Sequence, residues 1–442
     1  MTETRVERRA LDREILRLAW PALGALAADP LVSLVDTAWV GRLGADELAV
    51  LGVATTILVS FFFIFNFLAY GATPLIGAAL GRGDPEAAAR IGGAATVVAV
   101  AAGVVGMAAA IALAPALVAV MGADNTIASA TVDYLRIRAL AMPAVLLIIV
   151  AHGIFRGHQD TRTPFTVTVG FNVVNLILDP ALIFGLDWGI NGAAIATVIA
   201  QWIGVIWFIA LSRRREHASR LLRFSGLTWQ LARPLMGASA ALVIRTGSLL
   251  AVFAVATGVA TRIGNTAVAA HQVASQLWLF LALVVDSLAI AGQAMIGPRL
   301  ASGRQTGARA VADRLLQMGL VVGLALAALM AALMPVLPRL FTDDPVVLEA
   351  VQSVYWFVVV MQPLNALVFV WDGVGIGASA FRYLAASMVG AAAVTLGLLF
   401  SILPLGGGLV MVWWSLTVLM AVRLALMGWW HVAGPLGTGR LS

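Results

Sequence analysis

The sequence predicts an all-α integral membrane protein: twelve transmembrane helices in two six-helix bundles, related by a pseudo-two-fold axis along the membrane normal. Three observations predict it. Of 442 residues, 61% are hydrophobic and only 11% are charged, against roughly 25% charged in an ordinary soluble domain. So few charges cannot cover a globule of this size, and the apolar content excludes disorder. Twelve stretches reach the ~20 apolar residues that a span requires. Finally, a shift of 220 residues aligns the two halves without a gap over long stretches.

The spans follow in order. A charged amphipathic N-terminus, MTETRVERRALDRE, precedes the first span, 13–40, and carries no signal-peptide cleavage pattern. Pro21 and Pro30 are expected to interrupt that span and free backbone carbonyls. Span 48–80 and span 92–121 are separated by a loop bearing Arg82 and Arg90, and spans 131–154 and 163–185 by Arg156 and Arg162. Span 190–212 closes the first half. Residues 213–230 read as an arginine-rich cytoplasmic linker between lobes 1–212 and 231–442. The second half repeats the plan with 231–260, 266–299, 309–336, 347–377, 383–404 and 408–432. Several spans exceed the minimum, which implies tilt or extension into water. The 43 Gly and 16 Pro imply close helix packing and bends.

All 28 basic residues are arginine, and the net charge is +6. In a membrane protein this basicity encodes orientation rather than nucleic-acid binding. Twenty-one arginines fall on the side of the N-terminus, the 213–230 linker and Arg440; Arg42, Arg136, Arg138, Arg262 and Arg339 fall opposite. Both termini are therefore expected in the cytoplasm, with the chain in the cell inner (plasma) membrane. There is no cysteine, which excludes disulfides, thiolate metal sites and thiol catalysis. The five histidines are scattered without an HExxH pair, so no enzyme chemistry is expected.

The repeat aligns chemically distinctive residues, not only Ala and Gly. Arg42 and Gly44 meet Arg262 and Gly264; Pro143, Gly153, Gly157 and Arg162 meet Pro363, Gly373, Gly377 and Arg382. Six helices per half is an even number, so both halves enter the membrane in the same sense. Two such bundles leave a cleft, and rocking one against the other gives alternating access, the architecture of a transporter.

A charge at the bilayer centre costs ~3 kcal/mol, so ionisable residues inside spans mark function. In the first half these are Asp29, Asp36 and Asp179. Asp29 and Asp36 are seven residues apart and share one helix face. Asn172, Asn175 and Asp179 form one stripe of a helix, and Thr197 follows in the next span. Carboxylates with amide and hydroxyl oxygens make a hard-oxygen pocket for H⁺ or Na⁺, and two neighbouring carboxyls titrate as a pair. The blander reading is that Asp179-Pro180 marks a helix kink or boundary. The repeat favours function, because Asp36 aligns with Ala256, Asn175 with Thr395 and Asp179 with Leu399. The shared fold does without these groups in its second half. That half has its own set: Arg245, Gln272, Asp286, Gln293 and Asp372, which either pair structurally or line the cleft. Tyr134 and His152 could also face it, although single residues of these types on apolar helices usually serve packing.

AWPALGALAADPLVSLVDTAWVGRLG in the first span, FNVVNLILDPALIFG in the fifth and NTAVAAHQVASQLW opening the eighth resemble the MATE family of multidrug and toxic compound extrusion transporters, best its DinF-like branch, which includes archaeal members. The resemblance covers essentially the whole chain. It implies an antiporter that expels amphipathic, mostly cationic small molecules, driven by H⁺ or Na⁺, with no other cofactor and no nucleic-acid partner, acting as a monomer. It places the cation site, for Na⁺ as for H⁺, on Asp36, Asn175, Asp179 and Thr197, with Tyr134 as neighbour, and puts the bending point of the first helix at Pro21. Asp29 is a possible departure from the family pattern. The main alternative is a flippase for lipid-linked saccharides, which would need more cationic groups than Arg245 to meet pyrophosphate. A major-facilitator transporter fits less well, since the loop GRGDPEAAARI lacks that family's basic pattern.

Overall fold

A computed structural model describes residues 5–65, 67–121, 126–214, 229–340, 344–434 and 436. Among them the chain is helical throughout, with no strand. The helices are α1 (Arg5–Gly41), α2 (Ala45–Phe65), α3 (Phe67–Gly81), α4 (Pro85–Val120), α5 (Ala128–Ala139), α6 (Met142–Gly157), α7 (Arg162–Pro180), α8 (Gly189–Arg214), α9 (Trp229–Ile263), α10 (Asn265–Ala301), α11 (Gln305–Leu333), α12 (Pro345–Gly377), α13 (Phe381–Ile402) and α14 (Leu409–Ala433).

Ten of these are long and apolar enough to span a membrane, and the bent pair α5–α6 makes an eleventh. The stretch read as 48–80 is occupied by α2 and α3, on either side of residue 66, which lies outside the described residues. The stretch read as 131–154 breaks at Leu140–Ala141 with a 46° bend. Pro143 explains this break, since proline is tolerated in the first turn of a helix but not in its interior. By contrast, α1 runs helically through both Pro21 and Pro30. Most of the 213–230 linker lies outside the described residues; α8 extends to Arg214 and α9 starts at Trp229.

The ends of several helices follow from local chemistry. Asp84 accepts from Ala87 N at 2.8 Å and Pro85 opens α4. Asp344 accepts from Val346 N at 2.9 Å and Pro345 opens α12. These are side-chain caps followed by proline in the first turn. Large apolar side chains remain exposed along the helices, among them Val105, Ile206, Val321 and Val360, as expected where lipid rather than water covers the surface.

The chain divides into two compact units: Trp20–Gly237, and Met1–Ala19 together with Ala238–Ser442. The first part of α1 thus belongs with the C-terminal helices. Ile15 and Leu18 are buried in that unit's apolar core. Asp12 accepts from Arg314 at 2.6 and 2.9 Å, and Glu14 from Arg299 at 2.8 and 2.9 Å. Arg314 uses Nε and Nη2 on the two oxygens of Asp12, the two-point geometry that is strongest for such contacts, whereas Nη2 of Arg299 alone serves both oxygens of Glu14.

The repeat is a fact of backbone geometry as well as of sequence. A Cβ on Gly153 would lie 2.8 Å from Ala69 Cα, and one on Gly373 would strike Ala289. Each partner is displaced by the same 220 residues. Gly103 and Gly323 likewise meet Pro143 and Pro363, at 2.5 and 2.8 Å for their Cα atoms. The left-handed turns recur too, at Gly83 and Gly303 (φ 76° and 74°) and at Gln159 and Ser379 (both 57°). Small residues at these crossings let two helix backbones touch.

Candidate functional site

The Trp20–Gly237 unit contains an open cavity of about 820 Å³, lined by α1, α2, α3, α5, α6, α7 and α8. Asp160 helps start α7, accepting from Arg162 N at 3.1 Å and Thr163 N at 3.0 Å. At the other end Pro180 lacks the N–H that an α-helix would use there. The helix does not stop; it widens into a π-helical turn over Ala181–Gly185, a feature frequent at functional sites. Asp179 therefore sits inside a continuous helical segment and is fully buried.

The α7 stripe faces α1 and α8. Asn172 Nδ2 donates to Asp29 Oδ1 at 2.8 Å. Asn175 Nδ2 donates to Asp179 Oδ1 at 3.2 Å and reaches Thr197 Oγ1 at 3.5 Å. Thr197 in turn donates to Ala193 O at 2.9 Å, within α8. Asp36 lies within hydrogen-bond reach of Asp179, carboxyl to carboxyl. Asp36 Oδ1 and Asp179 Oδ2 are buried and have no donor partner among the described residues. Two ionised carboxylates only accept, so this contact requires a proton on one of them or a cation between them. Asp29, Asp36, Asn172, Asn175, Thr197 and Tyr134 all line the cavity, with Asp179 buried behind.

His152 also lines it, held 3.1 Å from Thr168 Oγ1 and edge-on to Phe208. Two arginines that read as topology markers, Arg138 and Arg156, are cavity-lining as well, as are Tyr70 and Gln201. Arg138 lies at the end of α5, just before the break, and its Nη1 donates to Gln201 Oε1 at 3.4 Å. Its position one turn beyond Tyr134 on the same helix was the available signal.

The equivalent place in the C-terminal unit is closed. Ala256, Thr395 and Leu399 are all 0% exposed, and Thr395 returns its hydroxyl to Ala391 O at 2.9 Å. The charged residues inside that unit's spans, Arg245, Asp286, Asp372 and Arg423, act on one another. Asp372 accepts from Arg245 at 2.5 Å and also pairs with Arg423. Arg423 lies over the Phe369 ring and within electrostatic reach of Asp286. Arg245 is thus committed to a carboxylate and is no spare cation for a pyrophosphate. Gln293 is buried, whereas Gln272 is exposed and joins neither group. Among the described residues, no cluster of three or more His, Cys, Asp or Glu could hold a metal ion.

An internally repeated multi-pass helical protein, with a polar cavity in one repeat and a sealed core in the other, is the design of a membrane transporter. Comparisons with known proteins agree. The family model described as MatE matches residues 21–181 and 231–403, and the chain belongs to that family. It is 36% identical to Protein DETOXIFICATION 44, chloroplastic, of Arabidopsis thaliana, across 94% of this chain and 81% of that one. It is 27% identical to DNA damage-inducible protein F of Escherichia coli K12, across 95% and 92%. A crystal structure of the Vibrio cholerae MATE transporter VcmN in the bent form superposes with a TM-score of 0.89 at 22% identity, across 98% of both chains.

Proposed function

We propose that this MATE-family transporter is a cation-coupled multidrug efflux antiporter, driven by H⁺ or Na⁺ and working by alternating access of its two units. The observation that carries this reading is the Asp36–Asp179 contact, whose two unpartnered oxygens call for a bound cation. Asn175 and Thr197 complete an oxygen-rich site around it. The substrates are amphipathic and mostly cationic small molecules, received in the 820 Å³ cavity, where Asp29 and Asp36 lie alongside Arg138 and Arg156. That volume is of the size that takes a drug-sized ligand.

In this cycle the outward-open protein takes a cation at Asp36 and Asp179. Neutralising the pair lets α1 and α7 approach and the drug leave outside. The empty protein turns inward, loses the cation and accepts the next drug. A monovalent ion falling through 100 mV supplies ~2.3 kcal/mol, enough for modest uphill export. The protein acts as a monomer in the plasma membrane with both termini cytoplasmic.

Ethidium export from proteoliposomes, with pH and sodium gradients imposed separately, tests this reading. Export driven by at least one gradient is expected. Ethidium movement indifferent to both would overturn it.

A further inference from the structure

We propose that Arg138 is the fixed counter-charge of the cation site and limits its uptake to one monovalent cation per cycle. The inference rests on the cation-coupled reading of the same site. A guanidinium does not give up its proton inside a protein. With both carboxyls ionised, Asp36 and Asp179 carry two negative charges and Arg138 cancels one. A single H⁺ or Na⁺ then makes the cluster neutral, which is the condition for residing in a low-dielectric span. Without Arg138, two cations would be needed.

The surroundings fit this count. Arg138 acts electrostatically on both Asp36 and Asp179. Its own hydrogen bonds go to uncharged groups, the Gln201 amide and the Tyr134 hydroxyl, so they hold it without consuming its charge. The cavity-lining residues of α7 and α8 nearest the pair, Asn175, Thr197 and Gln201, are neutral, and α2 contributes no charged one. Asp29 lies two turns away on α1, engaged by Asn172. His152 and Arg156 lie on the following helix, α6.

The repeat supplies an independent observation. Asp36, Asp179 and Arg138 align with Ala256, Leu399 and Val358, each 0% exposed in an apolar core. All three charges are absent together from the sealed repeat and present together in the open one. That is the pattern of a single electrostatic unit.

The test uses the full-length protein in proteoliposomes, with the membrane potential clamped at zero and ethidium as probe. Under a gradient of the driving cation of about tenfold, one cation per substrate balances an ethidium ratio of about tenfold, and two balance about a hundredfold. Wild type and Arg138→Lys are expected at the lower ratio, and Arg138→Gln at the higher. An Arg138→Gln protein that still balances at the wild-type ratio overturns the proposal, as does a wild-type ratio near a hundredfold, which needs no variant to fold. If wild type concentrates no ethidium under either gradient, the cation-coupled reading fails instead.

Discussion

Asp36 on α1 and Asp179 on α7 meet carboxyl to carboxyl, each with one buried oxygen that no donor among the described residues reaches. A buried polar atom without a partner costs stability, and two such atoms on adjacent acids cost more. Neutralising one acid therefore relieves the folded protein while removing the cation site. Asp36→Asn is expected to keep or slightly raise the apparent melting temperature in detergent. It is also expected to slow ion-driven ethidium export on the order of tenfold or more, the scale of a coupling energy of 1–3 kcal/mol. Thermal unfolding and export assays on the same preparation check both halves.

The C-terminal acid should behave oppositely. Asp372 bridges Arg245 and Arg423 and cancels one of their two charges, and removing it leaves both cations without that carboxylate in a nearly dry interior. Breaking a buried pair in this way costs about 3–5 kcal/mol. Asp372→Asn is expected to lower thermostability and yield sharply, with export per folded molecule less affected. A stable Asp372→Asn protein would show that the network is not structural.

The close helix crossings predict a position-specific glycine effect. Gly153→Ala places a methyl 2.8 Å from Ala69 Cα, whereas a Cβ at Gly390 meets nothing within 4 Å. The first change is expected to cost about 1–3 kcal/mol through overpacking; Gly390→Ala should be neutral or mildly stabilising. Melting temperatures of the two variants make the comparison.

The start of α1 is held by charge. Reversing Glu14 to Arg sets two cations together at Arg299, and the double change Glu14→Arg with Arg299→Glu restores attraction. The single variant is expected to melt lower and the double to recover most of the loss, as coupled neighbours do.

Much of this was legible in the residue pattern, for physical reasons. Asp36, Asn175 and Asp179 stood out because polarity inside a span is expensive, and the 220-residue repeat showed the second half doing without them. What the pattern did not show was pairing between helices. Spacing along α7 predicted a common face but not that Asn172 would bind Asp29. Arg245 and Asp372 were visible singly, while nothing in the pattern tied Arg423, their third member, to them. Arg138 was misread because an arginine near a span end resembles any other topology marker. The break at Leu140–Ala141 was lost because hydropathy averaged over ~20 residues is insensitive to direction.

Substrate counterflow with Asp36→Asn protein most directly separates coupling from transport. Proteoliposomes loaded with unlabelled ethidium and given labelled ethidium outside report substrate exchange without any ion gradient. Asp36→Asn is expected to retain this exchange and to lose uphill export under an imposed pH or sodium gradient. Uphill export at the wild-type rate by that variant would contradict the assignment of Asp36 to the cation site.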